Sequence, residues 1–272
     1  VLAGGQSLVP AMNFRLASPG VLIDLNRVRE LDYIVAENDT VRIGAMTRQR
    51  AVERSLAVAE HSPLVTETLP FVAHPQIRNR GTFGGSLAHA DPAAELPAVL
   101  LALDGRLRLR RGSQERTVLA RDFYLGLFET ALAPDELMLE VELPVQPAGT
   151  GWAFEEMARR HGDYALVGVA VTVRLTDEGR CQLARIALLS VGETAVLAER
   201  AASSLLDARG AEAEIAEAAR FTAHHDIDPG GDIHASAAYR RHLAEVLTRR
   251  ALTRAFERAV ASRSSRSDKE TP

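Results

Sequence analysis

Two Gly-Gly pairs constrain this chain more than any other feature. The stretches AGGQSL (3–8) and TFGGSLAHADPAAELP (82–97) share a pattern: adjacent glycines, a small hydroxyl residue at Ser7 or Ser86, then a helical segment. Adjacent glycines reach positive φ without steric cost and turn consecutive amide N–H groups inward, making an anion-binding nest. A helix N-terminus behind the nest adds positive partial charge that favours phosphate, and the hydroxyl supplies one more donor. Taken singly, either pair reads as a tight turn. Together they suit a pyrophosphate, which presents two charged groups. Neither G-x-x-x-x-G-K-[ST] nor a strand-following G-x-G-x-x-G occurs, so P-loop and Rossmann nucleotide sites lack their fingerprints.

Composition narrows the function class. The 272 residues are 46% hydrophobic and 25% charged, with a net charge of only -4. That balance supports a sizeable core and gives no basic footprint for nucleic acid. No apolar run approaches the roughly 18 residues that cross a bilayer, and the first residues lack the basic-then-apolar order of a secretory signal. The single cysteine, Cys181, excludes an internal disulfide and any cysteine-ligated cluster or thiolate zinc site built by these residues alone. A cytoplasmic, reducing compartment is the expectation.

Periodicity points to an α+β fold. VRIGA (41–45), RLRLR (106–110), LMLEVELPV (137–145), ALVGVAVTVRL (165–175) and CQLARIALLSVG (181–192) read as strands, the last two joined by the turn TDEG (176–179). Thr47 stands as an N-cap before the helical stretch 48–61, and residues 71–92 read as loop. Asp91-Pro92 has the form of an N-cap followed by proline at the first helical position, which puts Glu95 one turn into a helix. There its carboxylate could accept from ribityl or ribose hydroxyls. The Pro/Gly-rich PVQPAGTG (144–151) marks a boundary between a domain over 1–148 and a smaller sheet-plus-helices domain over 149–261. The polar end, 262–272, reads as a disordered tail.

AGGQSL and NRGTFGGSLAHADPAAELP together resemble the flavin-binding medium subunit of the molybdenum hydroxylases, of the carbon monoxide dehydrogenase and xanthine dehydrogenase type. Similarity continues through ELMLEVELP (136–144), FEEMARRHGDYALVGVAV (154–171) and DIHASAAYRRHLAEVLTRRAL (232–252), nearly the whole chain. The resemblance implies a p-cresol methylhydroxylase (PCMH) type FAD-binding domain followed by the smaller C-terminal domain of the carbon monoxide dehydrogenase flavoprotein, with antiparallel sheet and helices.

Carried over by position, Ala3, Gly4, Gly5, Gln6 and Ser7 match the family's first FAD loop. Thr82, Phe83, Gly84, Gly85 and Ser86 match the second, where isoleucine is commoner than Phe83. Glu95 matches an acidic position that contacts the flavin nucleotide, Met138 an apolar position near the ring system, and Asp163, with Tyr164, the stretch lining the flavin edge. Glu155 falls where xanthine dehydrogenase-like members place a lysine contact. Family members carry a strand–helix lead-in before AGG. The opening at Val1 therefore reads as a partial chain, with weaker FAD retention expected.

The resemblance also implies a division of labour. A molybdopterin-binding large subunit oxidises the substrate, a small subunit with 2Fe–2S clusters passes single electrons on, and FAD on this chain delivers pairs to an external acceptor. The assembly expected is a dimer of heterotrimers. Two other readings stay open at this point: a stand-alone PCMH-type flavin oxidoreductase with its own substrate pocket, or a flavin-free assembly subunit. His74, His89 and the histidines of HHDIDPGGDIH (224–234) read as structural or linker residues.

Overall fold

The computed structural model describes residues 1–267, with side chains through 263. Backbone contacts divide it into two compact units, one of residues 1–91 and 104–145, the other of residues 92–103 and 146 onward. Residues 92–103, read from sequence as part of the first domain, therefore belong to the second unit. Among the described residues no helix is long and apolar enough to cross a membrane.

The first unit is built on a five-stranded antiparallel sheet. Its strands are β1 (Ile34–Glu37), β2 (Thr40–Gly44), β3 (Arg106–Arg111), β4 (Gln114–Leu119) and β7 (Leu137–Pro144), in the order β1-β2-β7-β3-β4. The short strands β5 (Tyr124–Gly126) and β6 (Glu129–Thr130) form a separate hairpin. Alternation in β3 buries Leu107 and Leu109 and leaves its arginines outward. Between β3 and β7 the register slips, with Arg108 opposite Glu140 and Leu109 opposite Met138. This irregularity lets Met138, Val141 and Leu143 all face the core although 138 and 141 differ in parity. The buried carboxylate of Glu140 is met by the Arg108 guanidinium at 2.8 Å and accepts from the Tyr33 hydroxyl. Burial first, and then Glu140, push the Tyr33 hydroxyl up to about 12.

The unit's short helices are α1 (Leu8–Asn13), α2 (Gln49–Glu53), α3 (Leu56–His61), α4 (Pro63–Thr68), α5 (Pro75–Arg78) and α6 (Phe83–His89), of which α3 and α6 pack on this sheet. Two expectations change here. The helix expected over 48–61 is broken, because Ser55 caps α3 through the Val58 amide at 3.3 Å. Thr47 caps nothing; its hydroxyl donates to Tyr33 O at 2.9 Å. Residues 71–92, expected as loop, contain α5 and α6, so Gly84 and Gly85 lie inside a helical turn.

The second unit holds α7 (Glu95–Ala102) and a four-stranded antiparallel sheet of β8 (Thr150–Ala158), β9 (Ala165–Leu175), β10 (Cys181–Leu189) and β11 (Val196–Leu197), ordered β11-β10-β9-β8. Its helices are α8 (Glu199–Ser204), α9 (Glu212–Phe221) and α10 (Ala237–Ser267), with one π turn at Thr222–Asp226. β9 is buried on both faces, as its unbroken apolar run requires. Val169, Val171 and Val173 pack in one cluster with Ala251 and Ala255 of α10. From the alternate face Thr172 donates to Ala102 O of α7 at 2.8 Å. Alanines of α10 let it lie directly on β8: a β-carbon on Gly151 would collide with Ala255 O.

Asp91-Pro92 does not start a helix. α7 begins at Glu95 with Ala94 at its cap, and Pro92 O accepts from the Ser190 amide at 2.8 Å instead. Pro97 then falls in the first turn, where an amide has no intrahelical partner and a proline costs little. α10 continues to Ser267, so 262–267 are helical where a tail without structure was expected. Residues 268–272 of that tail lie outside the described residues.

Candidate functional site

Loop 3–7 hangs between two fixed points. Leu2 is pinned on both sides, its amide donating to Ile23 O at 2.8 Å and its carbonyl accepting from Leu25 at 3.0 Å. α1 then starts at Leu8. Between them Gly5 adopts φ +74, the left-handed region that a β-carbon disfavours. The amides of Gly4, Gly5, Gln6 and Ser7 donate to no protein acceptor among the described residues. Gly4, Gly5 and Gln6 line a cavity of about 250 Å³ together with Asn13, Asn26 and Arg80, and Ser7 lies just outside that lining. Open consecutive amides beside a positive-φ glycine are the geometry of an anion nest.

The second turn is different. Phe83 N–H donates to Thr47 O at 2.8 Å and Gly84 N–H to Ala45 O at 3.0 Å. Gly85 N–H reaches the Thr82 hydroxyl at 3.1 Å, and Ser86 N–H reaches Thr82 O at 3.2 Å. Of the nest expected over Thr82, Phe83, Gly84, Gly85 and Ser86, the last four amides are thus not open, because the cap of α6 and the segment after β2 use them. Its glycines serve close packing. A β-carbon on Gly84 would stand 2.7 Å from Ala45 Cα, and one on Gly85 3.2 Å from Ala3 Cβ. Phe83 is fully buried, so its bulk enters the core rather than the cavity.

The structure brings the two turns together within the first unit. Of the other candidates, Met138 is buried in the sheet opposite Leu109 and does not line the cavity. Glu95 and Asp163 stand on the second unit. Glu95 is 7% exposed at the start of α7. Asp163 accepts from the Tyr164 amide at 3.0 Å and pairs with Arg159 at 3.0 Å. Glu155, at the family's lysine position, pairs with Arg254. Burial, then the charge of Glu95, push the half-buried Glu156 carboxyl up to about 8.

Asn13, Asn26 and Arg48 carry no signal in the sequence, and Arg80, although inside the NRGTFGG stretch, is not marked there as a site residue. They are polar residues scattered over 13–80 with no mutual spacing, and only the fold assembles them. The histidines of 224–234 do not converge: His224 faces Glu245 at 3.8 Å, His225 packs on Phe221, and His234 meets Arg159 at 2.9 Å. Among the described residues no group of three or more His, Cys, Asp or Glu is arranged to hold a metal ion.

Known proteins place this architecture. Residues 1–146 match the FAD binding domain in molybdopterin dehydrogenase, and residues 152–255 match the CO dehydrogenase flavoprotein C-terminal domain. The chain is 43% identical to the 6-hydroxypseudooxynicotine dehydrogenase complex subunit alpha of Paenarthrobacter nicotinovorans, over 97% of this chain and 89% of that one. It is 39% identical to the carbon monoxide dehydrogenase medium chain of Hydrogenophaga pseudoflava, over 96% of this chain and 90% of that one. The solved carbon monoxide dehydrogenase from the same organism superposes with a TM-score of 0.91 at 40% identity, covering 94% of this chain and 89% of that one. With both domains matched in order along the chain, this protein belongs to the FAD-binding medium-subunit family of the molybdenum hydroxylases and is an oxidoreductase subunit whose cofactor is FAD.

Proposed function

We propose that this chain is the electron-relay flavoprotein of a multi-subunit molybdenum hydroxylase, and that loop 3–7 grips the FAD diphosphate. The carrying observation is the run of open amides at Gly4–Ser7 around positive-φ Gly5, beside a cavity of about 250 Å³ that Gly4, Gly5 and Gln6 line. Those groups fit a diphosphate. They offer consecutive donors, with no side chain between backbone and ligand at Gly4 and Gly5, and Arg80 lines the same cavity with a positive charge available. The second turn contributes shape rather than donors, since Gly84 and Gly85 bring its backbone against Ala45 and Ala3. On the family resemblance alone, Glu95 is assigned to the flavin nucleotide, Asp163 to the flavin edge and Met138 to the ring surroundings.

Bound FAD would supply the ability to take electrons singly and release them in pairs; the protein's part is to bind and orient it. We assign the molybdenum cofactor to a molybdopterin-binding large subunit and the 2Fe–2S clusters to a small subunit. The assembly is a dimer of heterotrimers in the cytoplasm. A single buried cysteine in these 272 residues supports clusters on another chain. So do the relatives' names, which describe a complex subunit and medium chains.

Co-expression with the neighbouring subunits, followed by counts of flavin, iron and molybdenum, tests this. One FAD per copy of this chain is expected, with iron and molybdenum following the other subunits. Reduction of the isolated FAD-loaded chain directly by an organic donor would instead make it a self-sufficient flavin oxidoreductase.

A further inference from the structure

The open loop 3–7 has few ties of its own, so something must hold its amides in one arrangement. Asn26 donates from Nδ2 to Ala3 O at 2.8 Å. Its Oδ1 accepts from Arg48 Nη2 at 2.7 Å, and Arg48 Nη1 donates to the carbonyl of Arg80. Arg48 is also bridged, antiparallel, to Thr82, and the Gln49 amide donates to Gly81 O at 2.9 Å. A continuous path therefore runs from the first glycine turn through Asn26 and Arg48 to the second. Asp24 fixes the middle of it, its Oδ1 accepting from the Asn26 backbone N–H at 2.9 Å and from Asn26 Nδ2. Because a guanidinium only donates, the Asn26 oxygen must face Arg48 and its NH₂ must face Ala3, so the amide has one workable orientation.

We propose that Asn26 and Arg48 form a clamp that positions the Gly4–Ser7 amides for the FAD diphosphate, a step that rests on reading loop 3–7 as the diphosphate site. Both residues are positioning residues: they hold the carbonyls of Ala3 and Arg80 and leave the amides to the ligand. Arg48 is needed for its fork rather than its charge, since one planar group must serve two acceptors in different directions.

The test is FAD titration of the apo full-length chain, followed by flavin fluorescence, with thermal unfolding of each apo variant alongside. Asn26→Ala and Arg48→Met are each expected to weaken FAD binding at least about tenfold, and the double variant to be no weaker than the worse single one, as for members of one unit. Arg48→Lys keeps the charge but not the fork and should bind as poorly as Arg48→Met. Asn26→Asp keeps the acceptor for Arg48, loses the donor to Ala3 and sets a second carboxylate against Asp24, so it should bind no better than Asn26→Ala. Asn26 is exposed and Arg48 partly so, so apo melting should hardly move, whereas a merely structural role would lower melting and leave the affinity of folded molecules intact. Wild-type affinity in Arg48→Lys or Asn26→Asp, or additive losses in the double variant, overturns the clamp. A wild-type chain that binds no FAD would overturn the diphosphate reading beneath it, a distinct outcome.

Discussion

A β-carbon on Gly4 would stand 2.4 Å from the carbonyl oxygen of Arg80, so the two glycine turns meet backbone against backbone. Gly4→Ala must push the turns apart. Overpacking of this kind costs about 1–3 kcal/mol, and displacement of the loop should also weaken FAD binding. Gly20, with nothing within 4 Å of its would-be β-carbon, is the control. Thermal unfolding and FAD titration should show both losses in Gly4→Ala and neither in Gly20→Ala.

Arg78 anchors the segment leading into the second turn. It is 4% exposed, pairs with Glu53 at 2.9 Å and donates to Val72 O at 2.9 Å. Burial pushes the Glu53 carboxyl up, but hydrogen bonds from Arg78 and Arg50 outweigh it and hold the group below its usual range. Removing one partner of a largely buried pair costs about 3–5 kcal/mol, and Arg78→Met should approach that loss in denaturant unfolding at pH 7. A carboxylate depressed in the fold stabilises above its unfolded value and loses that contribution as pH falls through the folded one. Arg78→Met should accordingly lose less stability than wild type on acidification below the unfolded value.

Glu156 predicts the opposite pH trend. Its Oε2 is buried without a hydrogen-bond partner, and the folded state keeps its proton up to about pH 8, whereas the unfolded chain releases it near 4.5. Between those values the folded state binds more protons, so stability falls as pH rises. Glu156→Gln removes the ionisation. Its melting temperature should exceed that of wild type at pH 8 and match it at pH 4.

Cys181 should be chemically silent. Burial pushes its thiol up to about 11, and the S–H donates to Leu183 O at 3.4 Å. Thiolate is the reactive form and is scarce here. Thiol-specific reagents should leave the native protein unmodified at pH 8 and label one site after denaturation.

Strands β2, β3, β7, β9 and β10 were legible in the sequence from their apolar pattern, whereas β1, β4, β5, β6, β8 and β11 were not. ALVGVAVTVRL is strand β9 from end to end, and RLRLR lies within β3. Caps were read less well. Thr47 and Asp91 have capping chemistry, yet tertiary partners decide where a helix begins: Thr47 serves Tyr33, and α7 starts past Pro92 at Glu95. Residues 92–103 fold with the later sheet through bonds such as Thr172 to Ala102, a long-range pairing that no local pattern encodes. In the candidate site both glycine turns were visible as motifs. Their unequal roles were not, because Ala45 and Thr47, which occupy the second turn's amides, are remote in sequence. The Asn26–Arg48 path was hidden for the same reason.

Residue-resolved amide spectra of the isotope-labelled chain, recorded with and without FAD, test the diphosphate cradle most directly. Gly4, Gly5, Gln6 and Ser7 should show the largest downfield amide shifts and new protection from exchange when FAD is added. Tight FAD binding that leaves those four amides unshifted and unprotected would contradict the account.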